Sequence, residues 1–406
     1  MKIQSEKYGD IIVILNCPLI DSAEALEFRT EINVADDGTE YRNALREQPR
    51  QSLNFNYISL KKNMGNMFHM LYSNLRGYWG IPLPHLKQNI DDVEDDDFIQ
   101  MDTSLNPDLH LGYALVKSQA VDTVVELKRI GRYVVIQEEI IDPETEEVIQ
   151  EEIIEYQDGF RLDKEINVTN AVVMPIRICM IDGNAMISAS NQWAKSQIKF
   201  VAVAEDAPED LVLIPEQYKE KDFYSKPLLL DGDSLEMELL QHQVFVDGGV
   251  GRFTQFTNEN KPQYMKPFKT ILKGRQALFD YRKFLMRRIG QYREFWLPLY
   301  EKHLNVVNQG MLSNWLDVDT QFVIEADRKH IAIKVNDVWS PYEITNKVIN
   351  ANITRLTVSP AINTNTSNIQ SICYLGLYRL SADRIEFGFK GGEIAQVTVP
   401  IIEIDS

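Results

Sequence analysis

A helix that halts at a glycine and is followed by aromatics and a proline occurs twice in this chain. The stronger copy runs from Gly274 to Val306. Leu278, Tyr281, Phe284, Leu285 and Arg288 recur at three- and four-residue steps, which predicts an amphipathic helix. Arg282, Lys283 and Arg287 fall largely on its other faces. Gly290 supplies the stop, and Phe295-Trp296-Leu297-Pro298 follows, where Pro298 forbids continuation. The weaker copy spans Met64 to Leu86: a stripe of Met67, Met70, Leu71, Asn74 and Leu75, then Gly77, then Tyr78-Trp79-Gly80-Ile81-Pro82. The same order of parts, twice, suggests a duplicated unit. Two unrelated capped helices would give the same pattern. Trp79 and Trp296 stand at the equivalent step, which favours packing at module or subunit boundaries over a ligand platform. The candidate packing and interface residues are Trp79, Pro82, Phe284, Phe295, Trp296 and Pro298.

At 406 residues the chain is too long for one ordinary core, so two to four modules are expected. No apolar run approaches the roughly 18 residues of a membrane helix, and MKIQSEKYGD holds no secretory signal. A net charge of -18 argues against a broad basic grip on nucleic acid. Part of that charge is local, in the acidic run 91–97, which lacks calcium-loop spacing and reads as a solvated loop. Cys17, Cys179 and Cys373 are widely spaced and each sits in an apolar context. They read as free, buried thiols in a reducing compartment rather than metal ligands.

Between and around the two helices the pattern is β. Leu26 to Val34 alternates, a turn signal follows at Asp36–Thr39, and Leu53, Phe55 and Tyr57 alternate again. A hairpin leading into a helix results. Residues 110–187 carry β-branched runs at 120–127, 133–141, 148–156 and 171–181, separated by turn chemistry at Lys128–Arg132 and Asp142–Thr145. These suggest a small barrel or sandwich inserted between the copies. Further strands are expected at 197–204, 242–246 and 253–256, and six more between 321 and 404. The fold class is therefore mainly β (α+β).

Catalytic patterns are missing: no nucleophile elbow, P-loop, zinc-protease or dinucleotide motif occurs. The six histidines are scattered without metal-ligand spacing. No catalytic, cofactor-binding or metal-binding residue is assigned. Paired carboxylates of hydrolase type have no discriminating signal among 60 acidic residues.

Three segments together resemble tail-tip proteins of long-tailed bacteriophages, the distal-tail and baseplate-hub family. The first is Phe28–Tyr57, through Thr30, Ile32, Gly38, Glu40, Arg42 and Arg50. The second is the Phe284–Pro298 helix and aromatic step. The third is the C-terminal strand pair, through Arg379, Asp383, Ile385, Phe387, Pro400 and Glu403. The chain departs from some hub relatives in lacking a cysteine cluster, so no cofactor is implied. Its second copy also lacks the Gly-x-Glu-x-Arg element. The resemblance implies two tube-like β-sandwich repeats. The first would occupy 1–100, an inserted β-barrel 101–190, the second repeat 191–306, and a β-rich region completing it 307–406. It implies a non-enzymatic virion protein assembled in the host cytoplasm. Its partners would be itself, as a homotrimer with pseudo-six-fold symmetry or alternatively a hexamer, together with tail-tube protein and other tail-tip or fibre proteins. DNA would pass through the ring without specific binding, and no membrane is implied. The alternative is a multi-domain β protein that binds a carbohydrate or receptor.

Overall fold

The computed structural model describes every residue except 20–21, 36–37, 104–108, 110–111, 142–147, 204–214, 227–237, 242, 250, 258–261, 300–303, 321–327, 392–393 and 405–406. It is mainly β, and the two α-helices of the described residues are the two expected from sequence.

The first half opens with a hairpin of β1 (Lys2–Ser5) and β2 (Gly9–Val13). A long hairpin follows, β3 (Ala23–Val34) with β4 (Glu40–Leu60), which runs directly into α1 (Lys61–Asn74). The chain then returns as β5 (Tyr78–Pro82), parallel to β2. Next come β6 (Gln88–Ile90), β7 (Val93–Gln100), β8 (Gly112–Lys117), β9 (Asp122–Ile141) and β10 (Val148–Val168). β11 (Ala171–Ile181) serves two ladders, pairing with β8 at its start and β5 further on. β12 (Met186–Ala189) and β13 (Trp193–Ala202) close the half as a hairpin, with β13 against β4.

The second half repeats this pairing. β14 (Gln217–Tyr218) and β15 (Lys221–Phe223) form the opening hairpin. The long hairpin is now interrupted: β16 (Glu238–Leu240) and β17 (Val244–Val246) return as β18 (Thr254–Phe256) and β19 (Gln263–Lys273). α2 (Arg275–Arg288) follows, and β20 (Phe295–Pro298) runs parallel to β15 as β5 does to β2. β21 (Met311–Leu312) leads to β22 (Trp315–Asp319), β23 (His330–Val335), β24 (Val338–Asn350) and β25 (Ile353–Ser359). After β26 (Thr364–Asn365), β27 (Ile369–Leu380) pairs with β23 at its start and β20 further on, just as β11 does with β8 and β5. β28 (Arg384–Phe389) and β29 (Ile394–Glu403) finish as a hairpin, with β29 against β19.

The four-strand insertion is thus present in both halves, not in the first alone. In the first half the order is β7–β10–β9–β8–β11, and in the second β22–β25–β24–β23–β27. The barrel expected in the first half is an open, curled sheet around a core that includes Leu127, Phe160 and Val173. Its margins, β6 on β11 and β7 on β10, are consecutive stretches of chain, and no ladder joins them. The expected turn at Lys128–Arg132 lies within the continuous strand β9, where a register shift against β10 absorbs it. The turn at 142–145 lies outside the described residues. The acidic run 91–97 is a loop only at Asp91 and Asp92; from Val93 it belongs to β7, where Asp96 and Asp97 bind Arg132 of β9 and Arg161 of β10 at 2.8 Å. Of the cysteines, Cys179 and Cys373 are buried, but Cys17 is exposed.

Candidate functional site

The aromatic–proline steps lie in the middle of each half's sheet. Pro82 faces Ile176 and Pro298 faces Leu375, so the prolines match. Counting back, Trp79 faces Cys179 and Phe295 faces Tyr378. Trp79 therefore corresponds to Phe295, and Trp296 corresponds to Gly80. Successive strand residues point to opposite faces, so the two tryptophans enter different cores. Trp79 joins the main core with Phe295, while Trp296 joins a smaller cluster with Phe223, Ala332, Trp339, Cys373, Leu375 and Leu377. The matching cluster in the first half is Val13, Leu115, Val124, Met174 and Ile176. There a Cβ on Gly80 would come within 2.8 Å of Val13 Cγ2 and 3.2 Å of Ile176 Cγ2. Volume has been exchanged: Trp296 with the small Ala332 and Cys373, against Gly80 with the larger Leu115 and Met174. Both clusters pack the half's main sheet against its inserted sheet. Phe284 is half-buried and meets Phe295 edge-on at 5.1 Å; Pro82 and Pro298 are buried.

The two halves meet along a seam made by β3 of the first and β28 of the second, antiparallel from Arg384 opposite Glu27 to Gly388 opposite Ala23. Side chains lock this seam. Asp383 accepts from Thr30 N at 2.6 Å, Thr30 Oγ1 at 2.9 Å and Gln291 N at 3.1 Å. Arg379 forks onto both oxygens of Glu40 at 2.7 and 2.5 Å. Arg42 donates to Tyr292 O at 2.9 Å and Glu294 at 2.8 Å. Gly290 is in the left-handed region (φ 64°), and a Cβ there would strike Asp383 Oδ1 and Phe28 Cβ. Helix α2 lies over the seam, and its Arg282 binds the fully buried Glu24 of β3. His85 also bonds Glu24, at 2.8 Å, and stacks on Phe389 with ring centroids 4.0 Å apart. Burial pushes the Glu24 carboxyl up, but the Arg282 charge and the bonds from His85 and Gln51 outweigh it and hold the pKa at about 2.

Thr30, Glu40, Arg42, Arg379 and Asp383 were singled out in sequence as separate motif positions, and the fold brings them together here. The sequence places Arg282 off the apolar face, where it can be solvated, whereas it is buried on Glu24; Glu24 and His85 carry no signal, because nothing local pairs residues about 60 and 258 positions apart. Beside the seam, Arg287 and Arg288 both bind Asp222, and Arg42 and Lys221 both bind Glu294. Such consumed charges hold elements in register and leave little for a ligand. No group of three or more His, Cys, Asp or Glu able to hold a metal occurs among the described residues. No helix among them is long and apolar enough to cross a membrane. Comparison of the sequence with family models and with curated proteins returns no match.

Proposed function

We propose that this chain is a structural tail-tip protein of a long-tailed bacteriophage, of distal-tail or baseplate-hub type. Three copies form a ring that joins the tail tube to the host-recognition apparatus and leaves a lumen for DNA. The observation that carries the reading is the tandem repeat. Each chain holds two units of one topology, already joined through unlike edges. Unlike edges make a heterologous contact, and heterologous contacts that close generate rings. Three two-unit chains give six like units, which favours a homotrimer over a hexamer. The charge of -18 suits a wall past which DNA slides without adhering. The protein works in the virion, is assembled in the host cytoplasm, and acts mechanically rather than catalytically.

A carbohydrate-binding reading would need exposed tryptophan platforms. Only Trp193 of the five is exposed; Trp79, Trp296 and Trp339 are buried, and Trp315 lies under Arg355 at 4.0 Å. Negative-stain imaging of the purified chain tests the proposal. Rings with a central hole support it. Dispersed single chains that are retained on a glycan array would replace it with the binding-module reading.

A further inference from the structure

The seam uses the hairpin β3–β4 of the first half and the edge of β28 from the second. The repeat therefore leaves over one hairpin, β16–β19, and one edge, β12. Among the described residues β12 pairs only with β13, and β16 only with β19. These are the two parts from which a second seam is made, the edge from the first half and the hairpin from the second.

Matching the ladders residue for residue shows what those parts carry. Leu60 lies opposite Trp193 where Lys273 lies opposite Ile394, which sets β19 on β4 and β29 on β13. Ala189 pairs with Ala194 as Phe389 pairs with Ala395, which sets β28 on β12. On this match Glu40 becomes Phe253 and Arg379 becomes Met180. The buried guanidinium–carboxylate fork of the seam is replaced by two apolar side chains, 64% and 40% exposed. The helices agree. Buried Met67 and Leu71 of α1 match buried Tyr281 and Leu285 of α2. Arg282, Met286 and Ile289, on the side of α2 that covers the seam, then match Phe68, Tyr72 and Leu75. Those three are 38%, 94% and 42% exposed, an apolar stripe at four- and three-residue steps that no described element covers. The leftover hairpin is apolar as well, with Leu239, Phe245 and Phe256 exposed.

We infer that β12 and the Phe68–Tyr72–Leu75 face of α1 receive the β16–β18 hairpin of a second copy, in the register of the β3–β28 seam. Ala185 of one copy lies opposite Leu239 of the next, as Ile385 lies opposite Leu26 within the chain. Strand addition supplies backbone bonds, and the apolar stripe supplies burial. The change from ionic to apolar side chains also separates the two seams. A hairpin carrying Glu24 and Glu40 would bury unpaired carboxylates against Phe68 and Met180, so neither seam can form in the other's place. This inference rests on the ring reading and gives it a specific joint.

The test is a cysteine pair, Ala185→Cys with Leu239→Cys, in a chain whose exposed Cys17 is changed to Ser. Mild oxidation is expected to yield chain-to-chain dimers and trimers on non-reducing gels, while either single cysteine variant yields neither. A second pair of changes reads the same joint without oxidation. Met180→Arg alone is expected to lower assembly at least tenfold with an unchanged melting temperature. Adding Phe253→Glu transplants the internal ion pair and is expected to restore most of it. Wild-type rings that neither cross-link through this pair nor lose assembly with Met180→Arg overturn the joint while leaving the ring reading intact. A wild-type chain that stays single at every concentration overturns both.

Discussion

Single residues carry the exchange of volume between the halves. Trp296 occupies space that the first half closes with Leu115 and Met174 around Gly80. Trp296→Ala is expected to lose about 3 to 5 kcal/mol of stability by chemical denaturation, the usual cost of emptying a buried aromatic site. Gly80→Ala is expected to lose about 1 to 3 kcal/mol, because its Cβ overpacks against Val13 and Ile176. The sequence invites the pairing of Trp79 with Trp296, since both follow a helix and precede a proline. A strand reverses its face at every residue, so a one-step slip makes equivalent two side chains that enter different cores. Glu24 gives a pH signature. Its carboxyl is depressed from 4.5 to about 2, so the stability it lends is complete above about pH 4.5 and is lost as pH falls through about 2. Its contribution is on the order of 3 kcal/mol by that shift. Glu24→Gln should melt well below the parent at pH 7, and the gap should narrow as both are acidified toward pH 2. A gap that stays constant across that range would contradict the pairing with Arg282.

The two helices show how elements of one design diverge. Both have 14 residues, and both follow a long strand without a side-chain cap. α2 buries two arginines because the first half supplies Glu24 beneath it, and the second half itself supplies Asp222. α1 buries only Met67 and Leu71 within the chain. Periodicity located both helices correctly, since an apolar stripe is a local property. It could not say which neighbour meets the other faces, since that depends on residues hundreds of positions away. The glycine stops looked alike and are not. Gly290 takes a left-handed conformation where a Cβ would also strike Asp383 and Phe28, whereas Gly77 leaves room for the Asn74 side chain. Tyr72→Lys should leave the thermal melt of the single chain unchanged and reduce its self-association, read by sedimentation; association equal to the parent would show that α1 faces solvent. The recurrence of the inserted sheet was hidden for a related reason. Strands such as GYALVK and HIAIKV have similar patterns but few shared residues, and pairing order is not written in either one.

At the scale of the whole molecule, the chain is two copies of one pairing scheme joined by a polar, tightly specified seam. The edge and the hairpin that correspond to this seam in the other half, β12 and β16–β19, are not paired with each other among the described residues. In the proposed ring, three copies bring the mass to about 140 kDa from chains of 46.8 kDa. The mainly β class was legible because alternation is strong over most of the length. The full extent of the repeat was not, because the duplicated topology outlasts the resemblance of its side chains. An electron cryomicroscopy map of the assembled particle would show the ring itself. Three chains arranged as six like units are expected, with three seams inside chains and three between them, and α1 of each chain covered by the hairpin of the next. A particle whose copies meet about two-fold axes, or in which Phe68, Tyr72 and Leu75 face solvent, would contradict it.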